Sequence, residues 1–369
     1  MKTVAVFYGG ESVEHDVSVI TGVMTMNAVD KARYEVLPVY AAKNGTFYTG
    51  DELFEIDGYK NLDFKKLKKA AFLPGDDTMY VIKGKTLRPL KKISVAINCT
   101  HGERGEDGCI AAICKLSHVP IASPGVSPSA ISMEKHLSKT VLRGMGVKTL
   151  PSVKINTASG AASALKKAGL DFPLIVKPDR GGSSVGISLA KDERELSAAV
   201  SLALKFGESA EIEPYAEEFT EINCAAYKNA DGVTVVSECE KPYKKGALLS
   251  FEDKYVDGER QFPAKIAPAL GEKVQKITRK VYDELGFEGI VRIDYMIIRG
   301  EVYLNEINAV PGSLAYYLFC KTQKSFSSLL TGVIEGAMRR AAPSDTYVKN
   351  ISTGILDGLK GKGAKRLER

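Results

Sequence analysis

The sequence predicts an α/β protein that begins with a doubly wound domain and continues into mixed α and β structure. Residues 2–8 form a strand-like segment with an apolar run from Val4 to Tyr8, and a glycine turn and a helical run to about Val29 follow it. A strand, a glycine turn and a helix in this order form the opening unit of a doubly wound sheet. Further on, residues 290–308 contain two runs of β-branched and aromatic residues separated at Arg299-Gly300, a pattern typical of a β-hairpin.

Composition limits the classes of protein to which the chain can belong. With 369 residues, of which 44% are hydrophobic, the chain can bury a large core, and its length suggests two or three domains. The six cysteines form no C-x-x-C pair, so we read them as reduced thiols of a cytoplasmic protein. No run approaches the ~18 apolar residues of a membrane span. A net charge of +6 without a dense basic stripe argues against a nucleic-acid partner.

Two polar residues of the first third follow predicted strands. Glu14 lies near the start of the first helix, at the carboxyl end of a strand, where ligands of doubly wound sheets bind. An acid at this place could also do no more than favour the helix dipole. The strand 93–99 leads into a glycine-rich loop in which His101 can donate or accept a hydrogen bond near neutral pH. A plain surface turn is the alternative for this loop. Between these elements, the pattern of residues 42–92 predicts hairpin-like structure, and we assign no functional residue to this segment.

The middle of the chain predicts a phosphate-binding loop. A break at 123–125 suggests a domain boundary, and a helix-like stretch follows it through Met133 to Met145. The strand 173–176 then ends in Lys177, and a loop rich in glycine and serine separates it from the next strand. Successive backbone N–H groups of such a loop converge on phosphate oxygens, and the lysine adds a positive charge. No Walker motif is present, and a flexible hairpin loop is the alternative interpretation.

The last third predicts the remaining walls of a nucleotide site. Residues 192–206 and 274–285 show helical periodicity, and strands are expected at 210–215 and 221–227. Where the chain crosses between two domains at the strands 210–215 and 221–227, it forms a hinge whose backbone can hydrogen-bond to the edge of an adenine ring. The loop 248–255 is expected to be exposed. It is either a solvated surface loop or a lid that excludes water from a reactive intermediate.

The predicted hairpin carries the candidate metal ligands. Side chains alternate faces along a strand, so a turn centred on Gly300 places Asp294 opposite Glu306 and Arg292 near Asn308. Two carboxylates directly opposite each other repel unless a positive charge lies between them. Oxygen ligands beside nucleotide phosphates indicate Mg²⁺. A register shifted by one residue would send the acids to opposite faces, and a surface hairpin with solvated charges is the alternative.

Taken together, these residues resemble the D-alanine:D-alanine ligase family of the ATP-grasp superfamily over nearly the whole chain. The resemblance implies an ATP-grasp fold, in which an N-terminal doubly wound α/β domain precedes two α+β domains that clasp the nucleotide. The expected domains are 1–122, 123–213 and 214–369, the last with the lid loop and the metal site. The motifs that carry the resemblance are Gly9-Gly10-x-Ser12-x-Glu14, His101-Gly102-x-x-Gly105-Glu106-Asp107-Gly108, Met133-x-Lys135, Val176-Lys177-Pro178, Gly182-Ser183-Ser184-Val185-Gly186, Lys254-Tyr255, Arg292-x-Asp294, Asn305-Glu306-x-Asn308 and Pro311-Gly312.

The resemblance implies three groups of site residues. The metal group, for Mg²⁺ or alternatively Mn²⁺, consists of Asp294, Glu306 and Asn308. The ATP group consists of Lys135, Lys177 and Lys254 at the phosphates, Ser184 in the glycine-rich loop, Glu213 at the adenine hinge, and Glu221 at the ribose after a one-residue shift. The substrate group consists of Glu14 at the first substrate's ammonium, Ser183 and Tyr255 in a link from Glu14 to the lid, His101 beside the first substrate, and Arg292 at the developing oxyanion.

By the same resemblance, the protein is expected to join two D-alanines through an acylphosphate, giving D-alanyl-D-alanine, ADP and phosphate for peptidoglycan synthesis. A homodimer is also suggested. One departure concerns the second substrate, because Tyr317 stands where the family usually has a serine that grips the second substrate's carboxylate. A related ligase that uses D-serine, D-lactate or another amine is therefore an alternative. A nucleotide-binding sensor without turnover is another, although it has no use for an acid such as Glu14.

Overall fold

The predicted α/β fold is confirmed in the computed structural model, which describes residues 1–242, 260–341 and 351–354. Lys254 and Tyr255 lie outside the described residues. Among the described helices, none combines the length and the apolar character that crossing a membrane requires. The described strands form four sheets, which are taken below in chain order.

The first sheet is the doubly wound opening unit followed by an antiparallel meander. Its strand order is β6-β5-β4-β3-β2-β1-β7, and β1 runs parallel to both β2 and β7. The predicted hairpin-like segment forms the antiparallel strands β3 to β6. The elements of this part are β1 Lys2–Gly9, α1 His15–Ala28, β2 Tyr34–Ala41, β3 Phe47–Thr49, β4 Lys68–Leu73, β5 Asp76–Lys83, β6 Thr86–Lys92, β7 Val95–Asn98 and α2 Cys109–Leu116.

The second sheet carries the glycine-rich loop and is antiparallel throughout, in the order β10-β9-β11-β8. The apolar residues of α6 form one stripe, Leu196, Ala199, Val200 and Ala203, because they recur at helical spacing, and the stripe packs on this sheet. Asp192 caps α6 by accepting a hydrogen bond from the backbone of Glu195. The elements are α3 Val126–Met133, α4 Lys135–Gly144, β8 Val153–Ile155, α5 Ala161–Ala168, β9 Leu174–Pro178, β10 Ser188–Ala190, α6 Glu193–Ala203 and β11 Ala210–Pro214.

The third sheet holds the predicted hairpin, in the order β13-β12-β16-β17. The buried face of α7, with Val274 and Val281, packs on it, and Leu142 of α4 joins the same core. The small fourth sheet pairs β14 with β15. The remaining elements are β12 Thr220–Lys228, β13 Thr234–Val236, β14 Lys241–Pro242, β15 Arg260–Gln261, α7 Pro268–Glu284, β16 Val291–Ile298, β17 Glu301–Asn308 and α8 Gln323–Arg340.

The continuous helix expected through Met133 to Met145 is wrong, because the chain breaks at Glu134, which has extended backbone angles. Asp179 stabilises the new helix start from the glycine-rich loop. Its carbonyl accepts the N–H of Lys135 at 3.0 Å, and its carboxylate accepts the N–H of His136 at 2.9 Å. A carboxylate that accepts an N–H of the first helical turn acts as a helix cap. The break therefore fixes Lys135 beside the loop.

The helix α8 closes the first core although it follows the last strand of the third sheet. Phe326, Leu330 and Val333 pack with residues of β1 and β7 in one cluster. Thr322 and Ser325 form a capping box that begins this helix. The first sheet is thus covered by a segment from the far end of the described chain.

Candidate active site

The glycine-rich loop meets the start of α1 through Glu14 and Ser183. The Ser183 hydroxyl donates a hydrogen bond to the Glu14 carboxylate, and both residues are buried. Gly182 permits this approach, because a Cβ at this position would lie 2.9 Å from one Glu14 oxygen and 3.0 Å from the other. The link from Glu14 to Ser183 that the family resemblance implied is therefore present.

The loop that follows β7 forms the next wall of the site. Its backbone is tied to α1 because the Ser12 hydroxyl donates to the His101 carbonyl at 2.7 Å. The Nε2 atom of His101 lies 3.0 Å from the hydroxyl oxygen of Thr21. Burial, the largest cause, and the positive charge of Arg292 together lower the pKa of His101 to about 4, against the opposing effect of a hydrogen bond with the Val310 backbone. The imidazole is therefore neutral at pH 7, and it lines a cavity of about 620 Å³.

Glu106 is a site residue to which the sequence analysis gave no role. One of its carboxylate oxygens accepts the backbone N–H of Val310 at 3.0 Å, and the other accepts that of Gly102 at 3.3 Å. It therefore connects the His101 loop to the segment after β17. Burial raises the pKa of Glu106 to about 8, and the nearby charge of Glu14 acts in the same direction. Its place five residues after His101, in the motif quoted above, was the available signal.

A cluster of buried charges supports the predicted ATP lysine. The Lys177 amine lies 2.7 Å from the Glu213 carboxylate and 3.3 Å from that of Glu211. The Lys139 amine donates a hydrogen bond to the Glu213 carboxylate. It also lies 3.1 Å from a Glu211 oxygen, with which it forms an ion pair but no hydrogen bond. Burial alone would lower the pKa of Lys177, but the carboxylates of Glu213 and Glu211 outweigh it and raise that pKa. Against the opposing effect of burial, the two lysines lower the pKa of Glu213 to about 2.

Lys139 and Glu211 were missed by the sequence analysis, although spacing could have found them. Lys139 lies four residues after Lys135 and thus on the same face of a helix. Glu211 lies two residues before Glu213 and thus on the same face of β11. Lys139 and Glu211 are fully buried behind Lys177 and Glu213, which line a cleft of about 120 Å³.

The predicted register of the hairpin is confirmed: Asp294 pairs with Glu306, and Arg292 pairs with Asn308. The turn consists of Arg299 and Gly300, both with positive φ, and by itself it would place Asn305 opposite Asp294. A register shift between Asp294 and Tyr295 brings Glu306 into that place instead. The bulge therefore puts both carboxylates on one face.

The hairpin side chains form a set of oxygen donors with positive charges around it. Arg292 donates two hydrogen bonds to the Asp294 carboxylate, at 2.7 and 2.9 Å, and the Asn308 amide donates a third at 3.0 Å. The Lys135 amine lies 3.1 Å from a Glu306 oxygen and also donates to the carbonyl of Gly181. Two carboxylates and an amide oxygen fit a hard divalent cation such as Mg²⁺. Within the described ranges, no group of three or more His, Cys, Asp or Glu side chains is arranged for a metal.

These residues border two connected depressions. The smaller, a cleft of about 120 Å³, lies between the second and third sheets, and its walls combine apolar and charged side chains. Among its lining residues are the predicted ATP residues Lys135, Lys177, Ser184, Glu213 and Glu221.

The larger cavity, of about 620 Å³, shares Ser183, Glu221 and Glu306 with the cleft. It is also lined by the predicted substrate and metal residues Glu14, His101, Arg292 and Asn308. The lysine and tyrosine of the predicted lid, Lys254 and Tyr255, lie outside the described residues. The structure thus brings every other predicted site residue except Asp294 to the walls of one of the two depressions, and Asp294 contacts both Arg292 and Asn308.

A cleft with lysines, a glycine-rich loop and a carboxylate pair, set beside a charged substrate cavity, defines the ATP-grasp class of ligases. The family model described as D-ala D-ala ligase N-terminus matches residues 3–124, and the one described as D-ala D-ala ligase C-terminus matches residues 143–335. A D-alanine–D-alanine ligase of Thermosipho melanesiensis is 32% identical, over 98% of this chain and 100% of that protein. One of Helicobacter pylori strain Shi470 is 33% identical, over 85% and 89%. The chain therefore belongs to the D-alanine–D-alanine ligase family.

Solved structures agree with this assignment. The D-alanine–D-alanine ligase of Helicobacter pylori matches with a TM-score of 0.76 and 28% identity, over 91% of this chain and 98% of that one. The VanG D-Ala:D-Ser ligase of Enterococcus faecalis matches with a TM-score of 0.78 over 91% and 99%. Its identity is 24%, so this second likeness concerns the fold alone.

Proposed function

We propose that the protein joins two molecules of D-alanine at the expense of ATP and forms D-alanyl-D-alanine for peptidoglycan synthesis. The observation that carries this proposal is the meeting of Glu14, Ser183 and Arg292 in one cavity that adjoins the lysine-lined cleft. Arg292 suits a carboxylate and Glu14 suits an ammonium group, so the cavity that both residues line suits an amino acid. The cleft suits the nucleotide.

In the first half of the reaction, a carboxylate oxygen of the first D-alanine attacks the γ-phosphorus of ATP, and ADP leaves. Glu14 binds the ammonium group of this substrate, and the hydrogen bond from Ser183 fixes the orientation of the Glu14 carboxylate. Lys177 and Lys135 supply positive charge at the phosphates. Positioning and charge neutralisation account for most of the catalysis in such phosphoryl transfers.

Asp294, Glu306 and Asn308 would hold Mg²⁺, which supplies charge neutralisation to the triphosphate when bound. In this structure the Lys135 amine lies against Glu306. We infer that a metal and this amine share the carboxylate or compete for it. Lys254 belongs to the same proposed set of phosphate contacts.

In the second half, the amine of the second D-alanine attacks the acyl carbon of the acylphosphate. A C–N bond forms, the C–O bond to the phosphate breaks with its electron pair going to the departing phosphate, and the proton that the nitrogen loses passes to that phosphate. Arg292 lines the cavity and stabilises the oxyanion of the tetrahedral intermediate. Water would hydrolyse the acylphosphate, so the reaction needs closure, which we assign to the loop with Tyr255.

A related ligase with another second substrate is the second candidate. The Tyr317 hydroxyl lies 3.5 Å from Arg292 in the cavity, where the family resemblance leads us to expect a serine. D-Serine, D-lactate or another amine is then the alternative acceptor. We also propose a cytoplasmic location, where ATP is available, and a homodimer, which light scattering during size-exclusion chromatography would test.

The decisive experiment incubates the protein with ATP, Mg²⁺ and D-alanine and identifies the products by mass spectrometry. D-Alanyl-D-alanine with an equal amount of phosphate is the expected result. Parallel incubations add D-serine or D-lactate in equal concentration, and a dominant mixed product would favour the second candidate. Tight ATP binding with no D-alanine-dependent phosphate release would indicate a sensor and would overturn the proposal.

A further inference from the structure

Arg260 and Tyr317 form a stacked pair at the wall of the larger cavity. The guanidinium carbon of Arg260 lies 4.0 Å from the centre of the Tyr317 ring, and the hydroxyl of that ring lies 3.5 Å from Arg292. A guanidinium over an aromatic face at this distance makes a cation–π contact. Arg260 belongs to β15 and Tyr317 to the segment after β17, so the pair joins two separate parts of the chain.

The two arginines differ in how far protein carboxylates satisfy them. Arg292 donates two short hydrogen bonds to Asp294, and its side chain is 16% exposed. Arg260 has a 3.5 Å contact with Glu240, and its side chain is 43% exposed. The Glu240 carboxylate is buried and accepts a hydrogen bond from the Asn223 amide at 3.1 Å. Because a guanidinium carries five N–H donors, Arg260 retains donors for a ligand of the cavity that it lines.

We propose that Arg260, held over the ring of Tyr317, binds the α-carboxylate of the acceptor amino acid. The inference rests on the proposed function and assigns a specificity-determining residue to its second half. A planar guanidinium matches a carboxylate with two parallel hydrogen bonds, and stacking limits the conformational freedom that binding would otherwise remove.

The place of the pair favours the acceptor over the first substrate. Glu14 lies just before α1 and Ser183 lies in the glycine-rich loop, whereas Glu240 lies just before β14 and Arg260 belongs to β15. Arg292 contacts Tyr317 and also carries the proposed oxyanion role. An acceptor whose carboxylate lies on Arg260 would therefore use a part of the cavity wall that is separate from Glu14 and Ser183. We therefore expect the protein to accept amino acids and to reject neutral amines as the second substrate.

The test is a competition between D-alanine and D-alaninamide as acceptors, with the two products quantified by mass spectrometry. The unmodified protein is expected to prefer the acid strongly. Arg260→Gln should lower kcat/KM for the acid about 10- to 100-fold, the range expected for a lost charged hydrogen bond, with little effect on the amide. Arg260→Lys keeps the charge without the planar fork and should fall between the two proteins.

Hydroxylamine trapping separates the inference from the proposed function. Hydroxylamine captures an acylphosphate without needing an acceptor carboxylate, so hydroxamate yield and the KM for ATP should be unchanged in Arg260→Gln. Arg339→Gln, which removes an exposed arginine from a surface ion pair with Asp231, is the matched control. An unchanged preference for the acid in Arg260→Gln overturns the inference while the ligase function stands. If the unmodified protein gives neither hydroxamate nor dipeptide, the proposed function fails, and the inference fails with it.

Discussion

Asp294 lies directly across the hairpin from Glu306, and each carboxylate is neutralised by a different cation, Arg292 for the first and Lys135 for the second. Like charges opposite each other on a sheet are destabilising unless they are compensated. The arrangement is therefore suited to a site that receives a cation together with an anionic nucleotide.

Replacing either hairpin carboxylate should abolish turnover and preserve the fold. Asp294→Asn and Glu306→Gln are expected to lower the rate of D-alanine-dependent phosphate release at least about 100-fold, because each removes a charge that positions the transferred phosphoryl group. Binding of Mn²⁺ in the presence of ADP, followed by electron paramagnetic resonance, should weaken in both variants. Glu301→Gln, in an exposed ion pair on the same hairpin, is the control. Near-normal turnover in Glu306→Gln would refute the metal assignment.

Lys139 is expected to stabilise the folded protein, because it neutralises two buried carboxylates. Lys139→Met leaves Glu211 and Glu213 buried with only Lys177 as a partner, so the free energy of unfolding should fall by about 3 kcal/mol. Urea unfolding measures this loss, and adding Glu211→Gln to the variant should recover part of it. The surface substitution Lys60→Met, in an exposed pair, should change stability by less than about 1 kcal/mol. Equal effects of the two lysine substitutions would contradict the account.

A side chain at Gly182 should displace the Glu14 carboxylate. Its Cβ would lie 2.9 Å from a Glu14 oxygen, so Gly182→Ala is expected to displace the carboxylate and raise the KM for the first D-alanine by about tenfold or more. Steady-state kinetics at saturating ATP measures this effect. Gly144→Ala is the control, because a Cβ there meets no atom within 4 Å. A KM in Gly182→Ala that matches the control would argue against the proposed role of Glu14.

Glu106 should make folding stability fall as pH rises. Burial and the charge of Glu14 raise its pKa from 4.5 to about 8, so the folded protein retains a proton that the unfolded chain loses. The contribution is complete below pH 4.5 and is lost as pH approaches 8. Glu106→Gln removes this dependence, and its stability relative to the unmodified protein should rise by up to about 1.4 kcal/mol per pH unit in that window. Urea unfolding at pH 5, 6.5 and 8 tests this, and a constant difference would contradict it.

Residue patterns predicted most of the fold because the strands and helices near the site have strong periodicity. The hairpin register was predicted from a turn at Gly300, but the observed turn has two residues, and the bulge at Asn305 restores the pairing. Such bulges depend on cross-strand contacts that local sequence does not reveal. The helix break at Glu134 depends likewise on Asp179, a residue distant in sequence.

Among the candidate site residues, those that belong to motifs were predicted, such as Glu14 and Ser183. Lys139 was missed although its spacing from Lys135 was a usable signal, whereas no spacing indicates Arg260, whose partners are set by the fold. Neither the sequence around Arg260 nor the sequence around Tyr317 indicates that the two side chains are in contact. Tyr317 differs from the serine of the family pattern, which the sequence alone reveals, but residue spacing does not reveal that Arg260 lies over its ring.

The packing of α8 against the first sheet has a consequence for how the chain acquires its structure during synthesis. The residues that complete the core of the first sheet are translated after those of the other described sheets. An emerging chain must therefore carry the apolar surface of α1 and β7 without its final cover until the segment with Phe326 and Leu330 leaves the ribosome. The core of the first sheet is therefore completed only near the end of synthesis, when α8 packs on it.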